Sequence, residues 1–225
     1  MSKIVKLVVL MSLVLCSWSC RRSGPVDSGV NSRLAGSVKN SVYTSRSERY
    51  SVPVPGSPSV GTRISEKPYG VGFTDDFGEL HRIEVVPIPE NERSTLDILD
   101  RREYLESILT EVYMPGTILK AIPSASVAYR KWHDDVHGGA LYAEVTMPKG
   151  SISRVSVDGG PAKRVDSERG LLLFVNGGDL CVISTTLPNI GPLNADKNEQ
   201  AKSIRQALQR NTLDFMKTIY FRPAS

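Results

Sequence analysis

Two apolar runs meeting at a Gly-Gly pair constrain this chain more than any other feature. Gly170-Leu171-Leu172-Leu173-Phe174-Val175-Asn176 leads into Gly177-Gly178, and Asp179-Leu180-Cys181-Val182-Ile183-Ser184-Thr185 follows. Glycine takes the positive φ angles of a two-residue hairpin turn at no steric cost. The pair therefore predicts a tight antiparallel hairpin over 170–185. Neither run alternates; both are apolar at nearly every position. A strand with one wet face alternates, so these two strands are buried on both faces and their sheet is covered on each side.

Further strands read from Tyr50 to Val54, Tyr69 to Phe73, Leu80 to Ile88, Val127 to Trp132 and Ala140 to Met147. In the third, Ile83 and Val85 share one face, and Arg82, Glu84 and Val86 the other. Pro87 donates nothing to a ladder and puts that strand's end at an edge. Ser57 to Lys67 reads as a Pro/Gly/Ser loop. Two helices provide the cover. Asp100-Arg101-Arg102-Glu103 has capping-box spacing, Leu105, Ile108, Leu109 and Val112 recur at helical intervals, and Met114-Pro115-Gly116 ends the run. A second capping-box spacing at Asp196-Lys197-Asn198-Glu199 opens a helix with Ala201, Ile204, Leu208, Phe215 and Ile219 as its apolar stripe, stopping before Pro223. Three strands, a helix, four strands and a helix make an α+β fold, a three-layer α/β/α sandwich on a mainly antiparallel sheet.

The N-terminus carries an export signal. Lys3 and Lys6 precede an apolar stretch, Leu7 to Cys16, broken only by Ser12; the small residues of Ser17-Trp18-Ser19-Cys20 follow. Charge, a short apolar core and a small-residue cleavage site form a secretory signal peptide. The stretch is about half of the roughly 20 residues a spanning helix needs. The segment before Cys20 resembles a bacterial lipobox, in which such a cysteine becomes the lipidated first residue. It departs from that pattern at Ser17, where Leu is usual, and at the bulky Trp18. The alternative is an ordinary cleavage site with Cys20 incidental beside it. Among the three cysteines, Cys16 leaves with the signal, and a disulfide framework needs an even set. Cys181, in an apolar run, is expected to be buried and inert. The expected organisation is a signal peptide over 1–19, a flexible Ser/Arg/Gly-rich tether over 20–48, and one globular domain over 49–225. The expected location is the bacterial envelope, with the protein held at a membrane and facing the periplasm or the exterior.

The net charge of +4 is misleading. Residues 1–49 hold eight of the 28 Lys and Arg but two of the 24 acids, so residues 50–225 carry a net charge of −2. The folded domain is not basic, and no nucleic-acid partner is implied. The basic tether suits either anionic lipid headgroups or plain solubility.

The most chemically suggestive cluster is Trp132-His133-Asp134-Asp135-Val136-His137-Gly138-Gly139. His133, Asp134, Asp135 and His137 bring two imidazoles and two carboxylates into one loop, a set able to ligate a divalent metal such as zinc. The bland alternative is a solvated turn made by Gly138-Gly139. No nucleophile elbow, zinc-protease helix or phosphate-binding loop occurs. Asp158-Gly159-Gly160-Pro161 reads as a surface turn. Asp75-Asp76 has no reason to act as an acid/base pair, and Arg101, Arg102, Glu103 and Glu106 read as the solvated face of a helix.

Over residues 49–222 the element order resembles the PsbP-like domains, most closely at Gly139-Ala140-Leu141-Tyr142-Ala143-Glu144-Val145, at the 170–185 hairpin and in the long C-terminal helix. The stretch from Ser151 to Ser167 departs from the simplest pattern of that family. The resemblance implies an accessory or interaction module, as in photosystem II assembly or Ran binding, and a lipoprotein in cyanobacterial members. It also makes a divalent metal relevant. Together these readings lead to a non-enzymatic, lipid-anchored envelope accessory protein that binds or steadies a protein partner. The alternative is an exported protein that binds a metal or small ligand through the His133–His137 loop.

Overall fold

The computed structural model describes residues 35–56, 62–98, 100–153, 162–189 and 197–222. Among them the chain forms β1 (Ser37–Lys39), β2 (Val42–Thr44), β3 (Tyr50–Pro53), β4 (Arg63–Lys67), β5 (Gly70–Thr74) and β6 (Leu80–Pro87). Helices α1 (Glu90–Ile98) and α2 (Arg101–Ser107) follow, and α2 runs into a π-helical segment, Ile108–Leu119. Then come β7 (Ser126–His133), β8 (Ala140–Ser153), β9 (Lys163–Asn176), β10 (Asp179–Pro188), α3 (Lys197–Lys217) and β11 (Tyr220–Phe221). Seven strands form the main sheet in the order β4-β5-β6-β10-β9-β8-β7, and four form a small one, β1-β2-β3-β11. Every pairing is antiparallel.

The hairpin predicted at Gly177-Gly178 is the middle of the main sheet. β9 and β10 pair from Asn176↔Asp179 to Ser167↔Pro188. Gly177 and Gly178 take φ of 56° and 87°, the left-handed pair such a turn needs. Successive side chains then sort to opposite faces. Leu171, Leu173, Leu180 and Val182 enter one core with Tyr104 and Leu105 of α2 and Ile108, Leu109 and Ile118 of the π segment. Leu172, Phe174, Cys181 and Ile183 enter the other with Tyr43, Tyr50 and Val52 of the small sheet and Phe215 and Met216 of α3. This two-sided burial is why neither run alternates. The fold is the expected α+β three-layer arrangement, with one addition: its second outer layer is α3 together with the small sheet.

Several local expectations are corrected. Residues 37–44 fell within the expected tether, yet they form β1 and β2, whose three residues each are too short for a legible period. Their turn, Asn40-Ser41, is left-handed at both positions, φ 51° and 59°, without the usual glycine. The loop read over Ser57 to Lys67 contains β4. Helix α1 was not anticipated. Pro115 does not end its helix: the backbone continues to Leu119 in the wider and rarer π form. Asp100 stands at the N-cap of α2 but makes no side-chain cap bond. Ile219 lies past the end of α3 and is buried there. The Ser151 to Ser167 stretch lengthens β8 and β9 into a ribbon paired to Ser153↔Lys163. β6 is an interior strand, but its last β5 partner pairs at Gly70↔Glu84, so Pro87 has only β10 beside it. Asp158-Gly159-Gly160-Pro161, Asp196 and the segment bearing Cys20 lie outside the described residues.

Gly170 seats α3. A Cβ there would collide with Thr212, whose hydroxyl donates to the Leu208 carbonyl at 2.8 Å. The helix rests directly on β9 where the sheet has no side chain.

Candidate functional site

The His133 to His137 loop joins β7 to β8 across a turn at His137, Gly138 and Gly139, with φ of 47°, 70° and 122°. Arg101 of α2 holds this turn, its Nη1 donating at 3.0 Å to the carbonyls of both His137 and Gly138. That arginine is therefore a strap on the loop and not only part of a solvated face. Arg102 and Glu106 do pair on the surface of α2 at 3.1 Å. His133 packs edge-on against the Tyr142 ring, with its Nε2 3.4 Å from Gln209 of α3 and its Nδ1 3.8 Å from Asp135. His137 stacks flat on Phe174, centroids 4.3 Å apart, with Phe221 against its edge. Asp134 accepts from Trp132 Nε1 at 2.7 Å.

This geometry does not gather the four residues of the metal expectation into one ligand set. Among the described residues no three His, Cys, Asp or Glu side chains converge as metal ligands. Asp134 is bonded to Trp132, Asp135 lies 3.8 Å from His133, and the two imidazoles face different aromatic partners. Burial pushes the pKa of both histidines down; Lys131 adds to this at His133, and Asp135 opposes it. A neutral ring is the form that stacks on an apolar core.

Other polar groups were weighed as chemistry. His81 bridges Glu79, at 3.2 Å from Nε2, and the Thr185 hydroxyl, at 3.1 Å from Nδ1. This has the order of a carboxylate–imidazole–hydroxyl relay, but Thr185 is 0% exposed and Phe215 covers the imidazole at 4.6 Å. A substrate has no access to that hydroxyl. On the α3 side, Glu144 is buried and accepts from Arg205 Nε at 2.7 Å. Burial still holds its carboxyl above the usual range, against the pull of that guanidinium. Arg169, buried beneath the π segment, donates to Thr186 at 2.8 Å, and desolvation pushes its pKa down to about 10. Asp75 caps the backbone N–H of Glu79 and Asp76 pairs with Arg63, so these two acids serve a turn. Cys181 is buried in the second core, and burial pushes its thiol up, as expected of an inert cysteine.

The concave feature lies at one end of the main sheet, where the β2–β3 turn leans over the ends of β5, β6 and the β9–β10 hairpin. Two adjoining hollows of about 700 and 650 Å³ share Ser47, Arg49, Val85 and Pro87 in their walls and form one cleft. Arg46, Lys67 and Tyr69 line the first, and Arg93, Asp179 and Arg222 the second. Two of the cations are matched: Arg49 pairs with Asp179, and Arg222 with Glu48 at 2.5 Å. Glu66 closes the first hollow. Its carboxylate accepts from the backbone N–H of Ala35 and Gly36, at 2.5 and 2.8 Å, and from Tyr43 at 2.6 Å. These bonds hold Ala35 in the wall of the first hollow.

No sequence signal marks this cleft. Its residues come from six separate stretches of chain with no motif among them, and the turn 45–49 fell inside the expected tether.

The chain is similar to solved structures. It is similar to the Ran-binding protein Mog1p of Saccharomyces cerevisiae, with a TM-score of 0.47 and 13% identity over 83% of this chain and 97% of that one. It is also similar to a cyanobacterial PsbP from Synechocystis, with a TM-score of 0.45 and 12% identity over 88% of this chain and all of that one. The second belongs to the family whose resemblance the sequence carries. No protein-family model matches the chain, and no curated protein sequence matches it.

Proposed function

We propose that this protein is an exported, lipid-anchored accessory protein of the bacterial envelope whose cleft binds a protein partner, and that it performs no catalysis. The observation that carries the reading is the continuous cleft at one end of the main sheet, with Arg, Tyr and Pro in its walls. Concave sites lined this way are where proteins take ligands. Support for a non-catalytic role is that the relay at His81 is sealed. No described helix is long and apolar enough to cross a membrane; the support for the anchor is the lipobox-like segment before Cys20.

Two experiments test the two halves. With a fatty-acid probe, wild type should label and Cys20→Ala should lose the label entirely; equal labelling of both, or of neither, rejects the anchor. For the cleft, a photo-crosslinking residue at Arg46 should give a discrete adduct in the native envelope, while one at Glu111, exposed on the π segment, should not. Indistinguishable adduct patterns from the two positions reject the cleft as the partner site.

A further inference from the structure

We propose that the cleft's occupant is an extended, carboxylate-rich peptide segment; this rests on the reading of the cleft as the partner site. The charges point to it. Arg49 and Arg222 already have acids, but Arg46 in one hollow and Arg93 in the other form no ion pair among the described residues. Each half of the cleft thus offers one uncommitted guanidinium, a planar fork of donors that matches a carboxylate two bonds at a time. The domain as a whole does not share this polarity: residues 35–225, which include Lys39, Arg46, Glu48 and Arg49, carry a net charge of 0. An acidic partner is therefore drawn to this end rather than to the surface at large.

Shape favours a peptide over the other anionic macromolecule available to an envelope protein, a phospholipid bilayer. The two hollows, about 700 and 650 Å³, are concave, and a planar bilayer cannot enter them. An extended chain can, and it finds apolar wall for its stem. Tyr69 is 40% exposed beside Pro68 and faces the same hollow as Arg46. Aromatic-lined grooves recur as sites for extended segments, and Arg clusters as sites for acidic ones.

The test uses the full-length lipoprotein in detergent micelles and a short fluorescein-labelled peptide of alternating Glu and Tyr, read by anisotropy. The same peptide with Gln or Lys in place of Glu, and phosphatidylglycerol vesicles, serve as competitors. The Glu peptide should bind, its affinity should fall steeply with salt, and the Gln and Lys peptides should not compete. The double variant Arg46→Glu/Arg93→Glu should weaken binding at least tenfold. Arg130→Glu/Lys202→Glu, the same charge change at exposed positions outside the cleft walls, should leave binding unchanged. Equal binding of the Glu and Gln peptides, or equal loss in both double variants, overturns the proposal. So does binding to the vesicles alone that the cleft variant abolishes. If crosslinking from Arg46 persists in the envelope but the Glu peptide does not compete it, the cleft remains the partner site and the carboxylate chemistry is wrong. If crosslinking itself is absent, the underlying reading fails.

Discussion

Leu172→Ala is expected to lower the unfolding free energy by about 2–5 kcal/mol, the range for a large-to-small change in a rigid core. Leu172 is 0% exposed and sits in the middle of the main sheet, paired to Tyr142 of β8 on one side and Ile183 of β10 on the other. Its face is closed by α3 and the small sheet, so the vacated space is bounded by side chains from two layers. Collapse there would require moving either the β9 backbone or the helix seated on Gly170, and neither gives easily. The urea midpoint of the variant measures the cost. A loss below about 1 kcal/mol would place Leu172 in a loosely packed region and contradict the three-layer arrangement.

Glu92→Gln is expected to stabilise the domain at pH 7 by about 1–3 kcal/mol, the scale of the desolvation penalty removed when a buried carboxylate loses its charge. Glu92 lies on α1, is 1% exposed, and its Oε2 has no hydrogen-bond partner among the described residues. Burial raises its pKa above the usual carboxylate range. Between the ordinary value near about 4.3 and the raised native value, the folded state holds more protons than the unfolded one. This group's contribution to stability is therefore fully present below the ordinary value and is lost as pH rises through the native one. The advantage of Gln should then shrink to nothing near pH 4. Glu144 and Glu168, also raised by burial, act in the same direction. His133 and His137, with lowered pKa, act oppositely, and their contribution fades as pH falls through the imidazole range. Paired urea titrations of wild type and Glu92→Gln at pH 4 and pH 7 check the sign. A gain that is equal at both pH values would show that ionisation is not the cause.

The legible part of this fold was the part whose pattern is long. Residues 170–185 carry a continuous apolar run and an unambiguous turn, so the hairpin, its central position and its two-sided burial could be read directly. The helix from Arg101 and the helix before Pro223 were legible for the same reason, because several turns of spacing average out local exceptions. The small sheet was not. β1 and β2 are three residues each, β11 is two, and the Asn40-Ser41 turn carries no glycine. Such strands exist because Tyr43, Tyr50 and Val52 find a core made by distant residues, which is a tertiary cause with no local sign. The β4 strand was hidden in the same way beside a Pro/Gly/Ser segment. The candidate site divides similarly. His133 and His137 were conspicuous by composition, but their chemistry depends on direction. The chain spends one ring on Phe174 and the other on Tyr142. The cleft was illegible because its arginines are ordinary surface residues until the β2–β3 turn and the β9–β10 hairpin bring them to one end of the sheet.

On the proposed lipid anchor, residues 20–35 would serve as a leash, and Glu66, which binds the backbone of Ala35 and Gly36, fixes where it would reach the domain. Fifteen residue steps separate Cys20 from Ala35, and at the full reach of an extended chain they cover at most about 50 Å. If Cys20 carries lipid, the point where the leash meets the domain is the wall of the first hollow, and the opposite end of the sheet is the part free to swing outward. That wall then stays within one leash length of the headgroups in every orientation the domain can adopt. A partner that also resides in or on that membrane is met by lateral diffusion within a thin layer, where a weak cleft is occupied far more than the same cleft would be in free solution. Moving the leash to the far end of the sheet would leave every contact in the cleft intact and still cost most of that advantage.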